Sequence, residues 1–260
     1  MTIRIIAGPC QHETLAQSSM IAKECKRVCD KYGAEYIFKA SFDKANRTNI
    51  KGVRGVGLQS FIQDISVLKD TYNVKTLTDV HQEEQVWYLK DIVDVLQIPA
   101  FLCRQTDLIV EACLTGSIVN IKKGQFLAPQ DVDGILSKTK KAKEVWITER
   151  GTSFGYGRLV NDFAGMHDLL SNLGPRFVYD VTHSVQLPGA NGTSSGGNRK
   201  YVPHLSRAGA ALGITSFFLE VHPYPDSAPS DGPNMLHLKD FENVVRDIVK
   251  YSYSGDISNG

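Results

Sequence analysis

The sequence predicts an α/β fold, a (β/α)8 TIM barrel, from three observations. Eight short apolar runs rich in β-branched residues recur along the chain, and segments with helical spacing lie between most of them. The runs are continuously apolar, which is typical of parallel strands covered on their outer face. Eight such units in a chain of 260 residues match the usual size of this barrel, roughly 250 residues.

The elements follow one another in a regular order. The predicted strands are IRIIAG, EYIFKAS, VKTLTDV, DVLQIPA, SIVNIKKG, EVWITERG, RFVYDVTH and SFFLEVH. The predicted helices are TLAQSSMIAKECKRVCDKYG, GLQSFIQDISVLKDTYN, HQEEQVWYLKDI, RQTDLIVEACLTG, APQDVDGILSKTKKAKE, VNDFAGMHDLLSNLG, VPHLSRAGAALG and LKDFENVVRDIVKYS. The first helix is expected to end at Gly33, because glycine readily adopts the left-handed conformation of a C-cap.

An open, doubly wound sheet is the structural alternative. Such sheets usually have fewer strands and a glycine-rich phosphate turn after the first strand, and AGPCQHE is not such a turn. No linker divides the chain, so we expect a single catalytic barrel domain over residues 1–260. The stretch PGANGTSSGGNRK, between strand 7 and its helix, is interpreted as a mobile loop over an active site.

Composition excludes several classes of function. The 29 basic and 28 acidic residues nearly cancel, so neither nucleic acid nor an anionic membrane is expected as a partner. The sequence has no signal-peptide pattern and no apolar run long enough to span a bilayer. Five scattered cysteines without a signal sequence indicate reduced thiols in the cytoplasm.

Polar residues end the predicted strands, and in this fold the carboxyl ends of the strands form the active-site face. Asp79 and Gln97 end strands 3 and 4. The basic residues expected to converge on the same rim are Lys39, Lys44, Arg47, Arg104, Lys122 and Arg150. Crowded cations repel unless anions lie among them, and Lys and Arg are the usual ligands of phosphate and carboxylate. The sequence therefore predicts small, multiply anionic substrates.

A second group comes from strands 1, 7 and 8, which become neighbours when a barrel closes: Cys10, His183, Glu220 and Asp231. One thiolate, one imidazole and two carboxylates suit a divalent metal ion. Thiolate and imidazole favour zinc or iron, and the carboxylates leave manganese and cobalt open. The spacing is not a local motif, so a set of unrelated polar residues stays the alternative.

Longer strings resemble a known family. The resemblance is carried by the strings KASFDKANRT, IPAFLCRQTDL, KKGQFLAP, TERGTSFGYG, DVTHSVQLPG, GTSSGGNR and EVHPYPDSAPSDGPNML. The chain resembles the 3-deoxy-D-manno-octulosonate 8-phosphate synthase family over about residues 4–250. The resemblance implies a (β/α)8 barrel, usually a homotetramer, that condenses phosphoenolpyruvate with D-arabinose 5-phosphate and water. Members with Cys at the end of strand 1 are metal-dependent, and their ligands fall here on Cys10, His183, Glu220 and Asp231.

The resemblance also implies roles for the remaining polar residues. Phosphoenolpyruvate would be held by Lys39, Ser41, Lys44, Arg104, Lys122 and Arg150; Lys122 is preferred to Lys123 because strand alternation points only one of them inward. The pentose phosphate would be held by Asn46, Arg47 and Thr48, with Arg47 on the phosphate. Asp79 and Gln97 complete the binding set, and Cys10, Lys44, Asn46 and His183 are the catalytic candidates, with His183 suited to pass a proton.

Three positions depart from the family pattern. Thr48 stands where the family usually has Ser, and Gly157 and Arg158 stand where it often has two Asn residues. His12 follows Cys10 in an unusual QHE string and is interpreted as an exposed loop residue.

Two rival functions stay open. A sister barrel that condenses phosphoenolpyruvate with erythrose 4-phosphate shares the metal-ligand types but usually has Lys-Pro-Arg-Thr where this chain has KANRT, which favours the pentose. A catalytically idle barrel of the same fold would bind phosphoenolpyruvate without turning it over.

Overall fold

The chain folds into a closed barrel of eight parallel strands. The computed structural model describes residues 2–47, 50–153, 157–187 and 196–253. The strands are β1 (Arg4–Gly8), β2 (Glu35–Lys39), β3 (Lys75–Asp79), β4 (Val95–Ile98), β5 (Ile118–Lys122), β6 (Glu144–Glu149), β7 (Phe177–Asp180) and β8 (Ser216–His222). Each strand pairs with the next, and β8 pairs with β1. All eight predicted strands are confirmed, as is the barrel.

One helix follows each strand. The helices are α1 (Leu15–Tyr32), α2 (Leu58–Tyr72), α3 (Glu83–Leu89), α4 (Thr106–Leu114), α5 (Val132–Leu136), α6 (Phe163–Leu173), α7 (Val202–Ala211) and α8 (Phe241–Tyr253). Helix α1 begins after Thr14, whose hydroxyl accepts a hydrogen bond from the Gln17 backbone, and ends at Gly33 with φ +67°, as predicted. No helix within the described ranges has the length and apolar character needed to cross a membrane.

Most elements are shorter than predicted by a few residues, and two of these differences have a clear physical cause. Helix α5 ends at Leu136 instead of continuing to Glu144, because SKTKKAK offers no large apolar side chain that would hold a longer helix against the barrel. Strand β4 ends at Ile98, since Pro99 has no backbone N–H for the ladder, and the next residues form a 3₁₀ turn over Ala100–Leu102.

The region after β7 is described only in part. Gln186–Leu187 pairs antiparallel with Gly196–Gly197, and residues 188–195, the first part of the predicted mobile loop, lie outside the described residues. A second short strand, Leu236–His237, pairs in parallel with β8. These additions lie after β7 and β8, beside the strands that carry three of the four metal-ligand candidates.

The barrel has an apolar interior distinct from the larger core between sheet and helices. A cluster of seven buried side chains fills the inside: Ile6, Ile37, Leu77, Val95, Trp146, Val178 and Phe218. Each comes from the inward-facing positions of its strand, as the two-residue period requires. This apolar plug forms the floor on which the polar residues of the strand ends lie.

Candidate active site

Polar side chains form the next inward-facing layer above the apolar plug. Two residues further along a strand the side chain again points inward, and five of the seven plug residues have a charged or amide side chain as their successor. The successors are Lys39 after Ile37, Asp79 after Leu77, Gln97 after Val95, Asp180 after Val178 and Glu220 after Phe218. All five are buried. The strand register alone therefore brings one of the predicted anion ligands, one metal-ligand candidate and three further polar groups into one ring.

A cavity of about 810 Å³ opens above this ring at the carboxyl ends of the strands. Most of the predicted site residues line it: Lys39, Lys44, Asn46, Arg47, Asp79, Gln97, Lys122, Arg150, His183 and Asp231. The cavity thus collects lysine and arginine side chains from β2, β5 and β6 and the loop after β2. It has the position and the charge that sequence reasoning assigned to the substrate site.

Two predicted ligands of phosphoenolpyruvate do not line the cavity. The Arg104 side chain is exposed, in the segment before α4. The 3₁₀ turn after Pro99 directs residues 99–102 to the cavity, and the chain has moved on to the outer surface by Arg104. Ser41 is buried and donates to Asp79, and Lys44 Nζ lies 3.3 Å from its hydroxyl. Thr48 lies outside the described residues.

Lys122, and not Lys123, faces the cavity. Lys123 is equally buried, but its Nζ lies 3.0 Å from Glu149 Oε2. The Glu149 carboxylate also accepts the backbone N–H groups of Arg150 at 2.9 Å and Gly151 at 2.7 Å. Lys123 and Glu149 therefore fix the turn after β6 from which Arg150 enters the cavity.

The four metal-ligand candidates come together at one side of the cavity. One ligand atom from each of Cys10, His183, Glu220 and Asp231 lies within 4.8 Å of the others. Cys10 Sγ is 3.0 Å from Asp231 Oδ2, and His183 Nε2 is 3.6 Å from Glu220 Oε1. The sequence prediction that these residues meet is confirmed, although they are spread over more than 200 positions of the chain.

The chemistry of this cluster fits a divalent metal ion. Glu220 Oε1 accepts from Lys39 at 3.0 Å, while the buried Oε2 has no hydrogen-bond partner among the described residues. Asp180 Oδ2 lies 2.6 Å from His183 Nδ1, which leaves Nε2 facing the cluster. A carboxylate on the far nitrogen is the usual support of a ligating imidazole. Burial, then Glu220, raises the pKa of the Cys10 thiol, and a cation at this position would favour the thiolate.

Burial and neighbouring charges shift the pKa values of several charged side chains in the cavity. Glu220 and Asp79 overcome the effect of burial and raise the pKa of Lys39, so this lysine stays charged. Burial lowers the pKa of Lys122 to about 8 although Asp180 opposes the shift. Burial also lowers the pKa of Arg150, whose Nη1 has no partner in the described part of the chain. Lys122 and Arg150 are therefore cations that an anionic ligand would stabilise.

A chain of hydrogen bonds crosses four strands beneath the cavity. The Thr148 hydroxyl donates to Asn120 at 2.7 Å, Asn120 donates to Gln97 at 2.7 Å, and Gln97 donates to Asp79 at 2.6 Å. All four side chains are buried. Since every donor points toward Asp79, the orientation of the Gln97 amide is fixed.

Several site residues were missed or misread from the sequence. Asp180, which supports His183, ends a predicted strand like the residues that were selected, so the signal was present. Gln186 and Ser230, which both contact Asp231, lie in loops without such a signal. His12, expected to be exposed, is buried; it bonds Ser18 Oγ and Asp64 Oδ2, each at 2.8 Å. Nothing near His12 in sequence indicates a partner 52 positions away.

Comparison with known proteins gives one consistent family. A model described as the DAHP synthetase I family matches residues 2–253. The 2-dehydro-3-deoxyphosphooctonate aldolase of Rhodopseudomonas palustris (strain BisB5) is 47% identical over 253 residues, which cover 96% of this chain and 88% of the relative. Proteins of the same name are 47% identical over 249 residues in Agrobacterium fabrum (95% and 88% covered) and 46% identical over 253 residues in Bradyrhizobium diazoefficiens (96% and 90% covered). The chain therefore belongs to the DAHP synthetase I family and, within it, to the 2-dehydro-3-deoxyphosphooctonate aldolases.

Proposed function

We propose that this protein is a 3-deoxy-8-phosphooctulonate synthase, which condenses phosphoenolpyruvate with D-arabinose 5-phosphate and water to give 3-deoxy-D-manno-octulosonate 8-phosphate and phosphate. The observation that carries the proposal is a cation-lined cavity beside a Cys–His–Glu–Asp cluster. The names of the relatives support the same reaction.

The cavity residues divide between the two substrates. Lys39, Lys44, Lys122 and Arg150 bind phosphoenolpyruvate, and Arg150 Nη1, which has no partner among the described residues, is available to one of its oxygens. Asn46 and Arg47, on the loop after β2, bind the pentose phosphate, and Thr48 belongs to the same predicted set. Because both substrates are anions that repel each other, this arrangement of cations lowers the barrier mainly by holding them in contact.

The proposed reaction proceeds without a covalent intermediate between enzyme and substrate. Carbon 3 of phosphoenolpyruvate attacks the aldehyde carbon of the open-chain pentose, and water adds to the positive charge that develops at carbon 2. The proton lost by that water ends on the former aldehyde oxygen. Cleavage of the bond between carbon 2 and the phosphate oxygen then gives the keto acid and phosphate, and the proton of the carbon 2 hydroxyl passes to the departing phosphate. Lys122 and Arg150 offset the charge on the departing phosphate.

Cys10, His183, Glu220 and Asp231 hold a divalent metal ion in this proposal. When bound, such an ion supplies Lewis-acid polarisation of an oxygen or lowers the pKa of water. Zinc, iron, manganese and cobalt are all compatible with one thiolate, one imidazole and two carboxylates. With Nδ1 on Asp180 and Nε2 facing the cluster, His183 is better suited to hold the ion than to pass a proton.

Further properties belong to the same proposal. The five cysteines are free and buried, which supports a reducing compartment, the cytoplasm. Phe101 is 58% exposed on the turn after β4, and this exposed aromatic ring would be covered by a subunit contact in the proposed homotetramer. The chain acts as one catalytic domain over its whole length.

The deciding experiment measures phosphate release from phosphoenolpyruvate with arabinose 5-phosphate and, separately, with erythrose 4-phosphate. Each assay is run before and after EDTA treatment and again after addition of Zn²⁺, Fe²⁺ or Mn²⁺. Activity on the pentose that is lost with EDTA and restored by metal is expected. Activity on the tetrose alone would assign the sister reaction, and no turnover with either sugar would indicate an idle binding protein.

A further inference from the structure

The guanidinium of Arg47 connects two loops that each carry a metal-ligand candidate. Its Nη2 donates to Gln11 Oε1 at 3.0 Å and to the Pro229 carbonyl at 2.9 Å, and its Nη1 donates to Ser230 Oγ at 3.0 Å. Gln11 directly follows Cys10, and Ser230 directly precedes Asp231. A single side chain from the loop after β2 therefore joins the segment after β1 to the segment after β8.

Ser230 connects Arg47 to Asp231 of the metal-ligand cluster. Its hydroxyl accepts from Arg47 and donates to Asp231 Oδ2 at 2.9 Å, while Gln186 donates to Asp231 Oδ1 at 2.8 Å. Asp231 has φ +54°, a left-handed conformation that side-chain contacts must maintain in a residue other than glycine. Gln11 and Ser230 are both buried, so water competes little for these bonds.

Most of the hydrogen-bonding capacity of Arg47 is used within the protein. Its Nε donates to the Val53 carbonyl at 2.8 Å, so four of the five N–H groups of the guanidinium have protein acceptors. Among the described residues the fifth N–H has no acceptor, so it is available to the phosphate of a sugar substrate. A residue that served only to bind this phosphate would leave more of its donors free.

We propose that Arg47 is a positioning residue for the metal site, acting on Asp231 through Ser230 and on the Cys10 segment through Gln11. The inference rests on the proposed function, in which Cys10 and Asp231 ligate a divalent ion. It adds to Arg47 a role separate from its contact with the pentose phosphate, and it gives Ser230 a role that neither the family strings nor the cavity lining indicates.

The direction of the change in metal affinity when Arg47 is replaced distinguishes this positioning role from a purely electrostatic effect. Removing a positive charge near a cation site would by itself strengthen metal binding. Loss of a positioning contact weakens it, and contacts of this kind typically change metal affinity by about 10–100-fold. We therefore expect Arg47→Ala to bind Zn²⁺ about tenfold more weakly than the unaltered protein, against the electrostatic expectation.

Zn²⁺ competition with a chromogenic chelator tests the proposal directly. Ser230→Ala keeps Arg47 but removes the relay, and it is expected to weaken Zn²⁺ binding about as much as Arg47→Ala; Ser230→Thr restores the hydroxyl and should restore the affinity. The matched control is Arg54→Ala. Arg54 lies in the same loop and pairs with Asp43 but contacts no candidate ligand, so this variant should bind Zn²⁺ normally.

Unaltered Zn²⁺ affinity in Ser230→Ala would overturn the proposal. If Arg47→Ala does not fold, the result for Ser230→Ala is sufficient to test it. Weakening by Arg54→Ala as large as that by Arg47→Ala would also overturn it, since any loop arginine would then suffice. The proposed function fails by a different result, the absence of phosphate release from phosphoenolpyruvate by the unaltered protein with either sugar.

Discussion

Lys122 illustrates how burial sets the charge of a single substrate ligand. Its ammonium group lies against Asp180 and 3.2 Å from the centre of the Phe218 ring. Burial nevertheless lowers its pKa to about 8. In the free enzyme this lysine therefore loses its charge as the pH rises through about 8, whereas a bound anion would favour the charged form and move the transition to higher pH.

The expected consequence is a pH dependence that differs between kinetic constants. kcat/KM for phosphoenolpyruvate should fall above pH about 8, because it reports the free enzyme, while kcat should fall only at higher pH. Lys122→Arg keeps its charge over this range, so its kcat/KM should be lower but flat up to pH 9. Steady-state rates at saturating pentose phosphate measure both. The same decline in the arginine variant would assign the transition to another group.

The ion pair between Glu149 and Lys123, the lysine that faces away from the cavity, leads to a prediction about stability. Lys123→Met leaves the buried Glu149 carboxylate with two backbone N–H donors but without its ion-pair partner. Breaking one partner of a buried ion pair typically costs about 3–5 kcal/mol, and we expect a loss of about 3 kcal/mol in the free energy of unfolding. Denaturant titration measures this loss.

The matched control is Lys75→Met. Lys75 pairs with Glu35 at 2.7 Å, but its side chain is 55% exposed, so its removal should change the free energy of unfolding by less than about 1 kcal/mol. Equal losses in the two variants would mean that the Lys123–Glu149 pair contributes no more than a surface contact.

At the scale of the element, the end of β1 depends on a close approach between two backbones. A Cβ atom added at Gly8 would overlap the carbonyl oxygen of Lys39 on β2. Gly8→Ala therefore has to push β1 away from β2 where Cys10 and Lys39 enter the site. We expect a loss of about 2 kcal/mol in stability, since overpacking of this kind typically costs 1–3 kcal/mol, together with loss of activity.

Gly134→Ala provides the comparison for this substitution. Gly134 lies inside α5, and an added Cβ has no atom within 4 Å. The variant should gain about 0.5–1 kcal/mol, because alanine is the better helix former. Thermal unfolding of both variants measures the difference, and a Gly8→Ala protein as stable and active as Gly134→Ala would show that the two strands can separate freely.

Elements were easier to predict than the contacts between them. Each strand combines a β-branched apolar run with a polar end, so β1 to β8 could be read from local sequence, and strand period pointed Lys122 inward. Helix α5 was overestimated because a run of lysines has good helix propensity yet no large apolar side chain that would pack a longer helix against the barrel. His12 was misplaced, and Arg104 lies away from the cavity lining, for a related reason: their positions depend on Asp64 and on the path of a turn, which the local sequence does not specify.

For the whole molecule, the metal-ligand candidates lie where the barrel closes. Cys10 follows β1 and Glu220 belongs to β8, and these two strands pair from Arg4 with Ser216 to Gly8 with Glu220. His183 follows β7, and Asp231 lies beyond β8. An ion held by all four would therefore join the first strand of the chain to the last two, and its binding energy would add to the stability of the closed barrel.

Metal binding should accordingly raise the thermal unfolding temperature. A ligand at 100 times its Kd stabilises the native state by about 2.7 kcal/mol, which corresponds to roughly 5–10 °C for a chain of this size. Thermal unfolding of EDTA-treated protein with and without Zn²⁺ measures the shift. Cys10→Ala should abolish the shift, whereas Cys113→Ala, which alters a buried cysteine of α4 away from the cluster, should retain it. A Zn²⁺ shift of the same size in Cys10→Ala would place the ion elsewhere and remove Cys10 from the site.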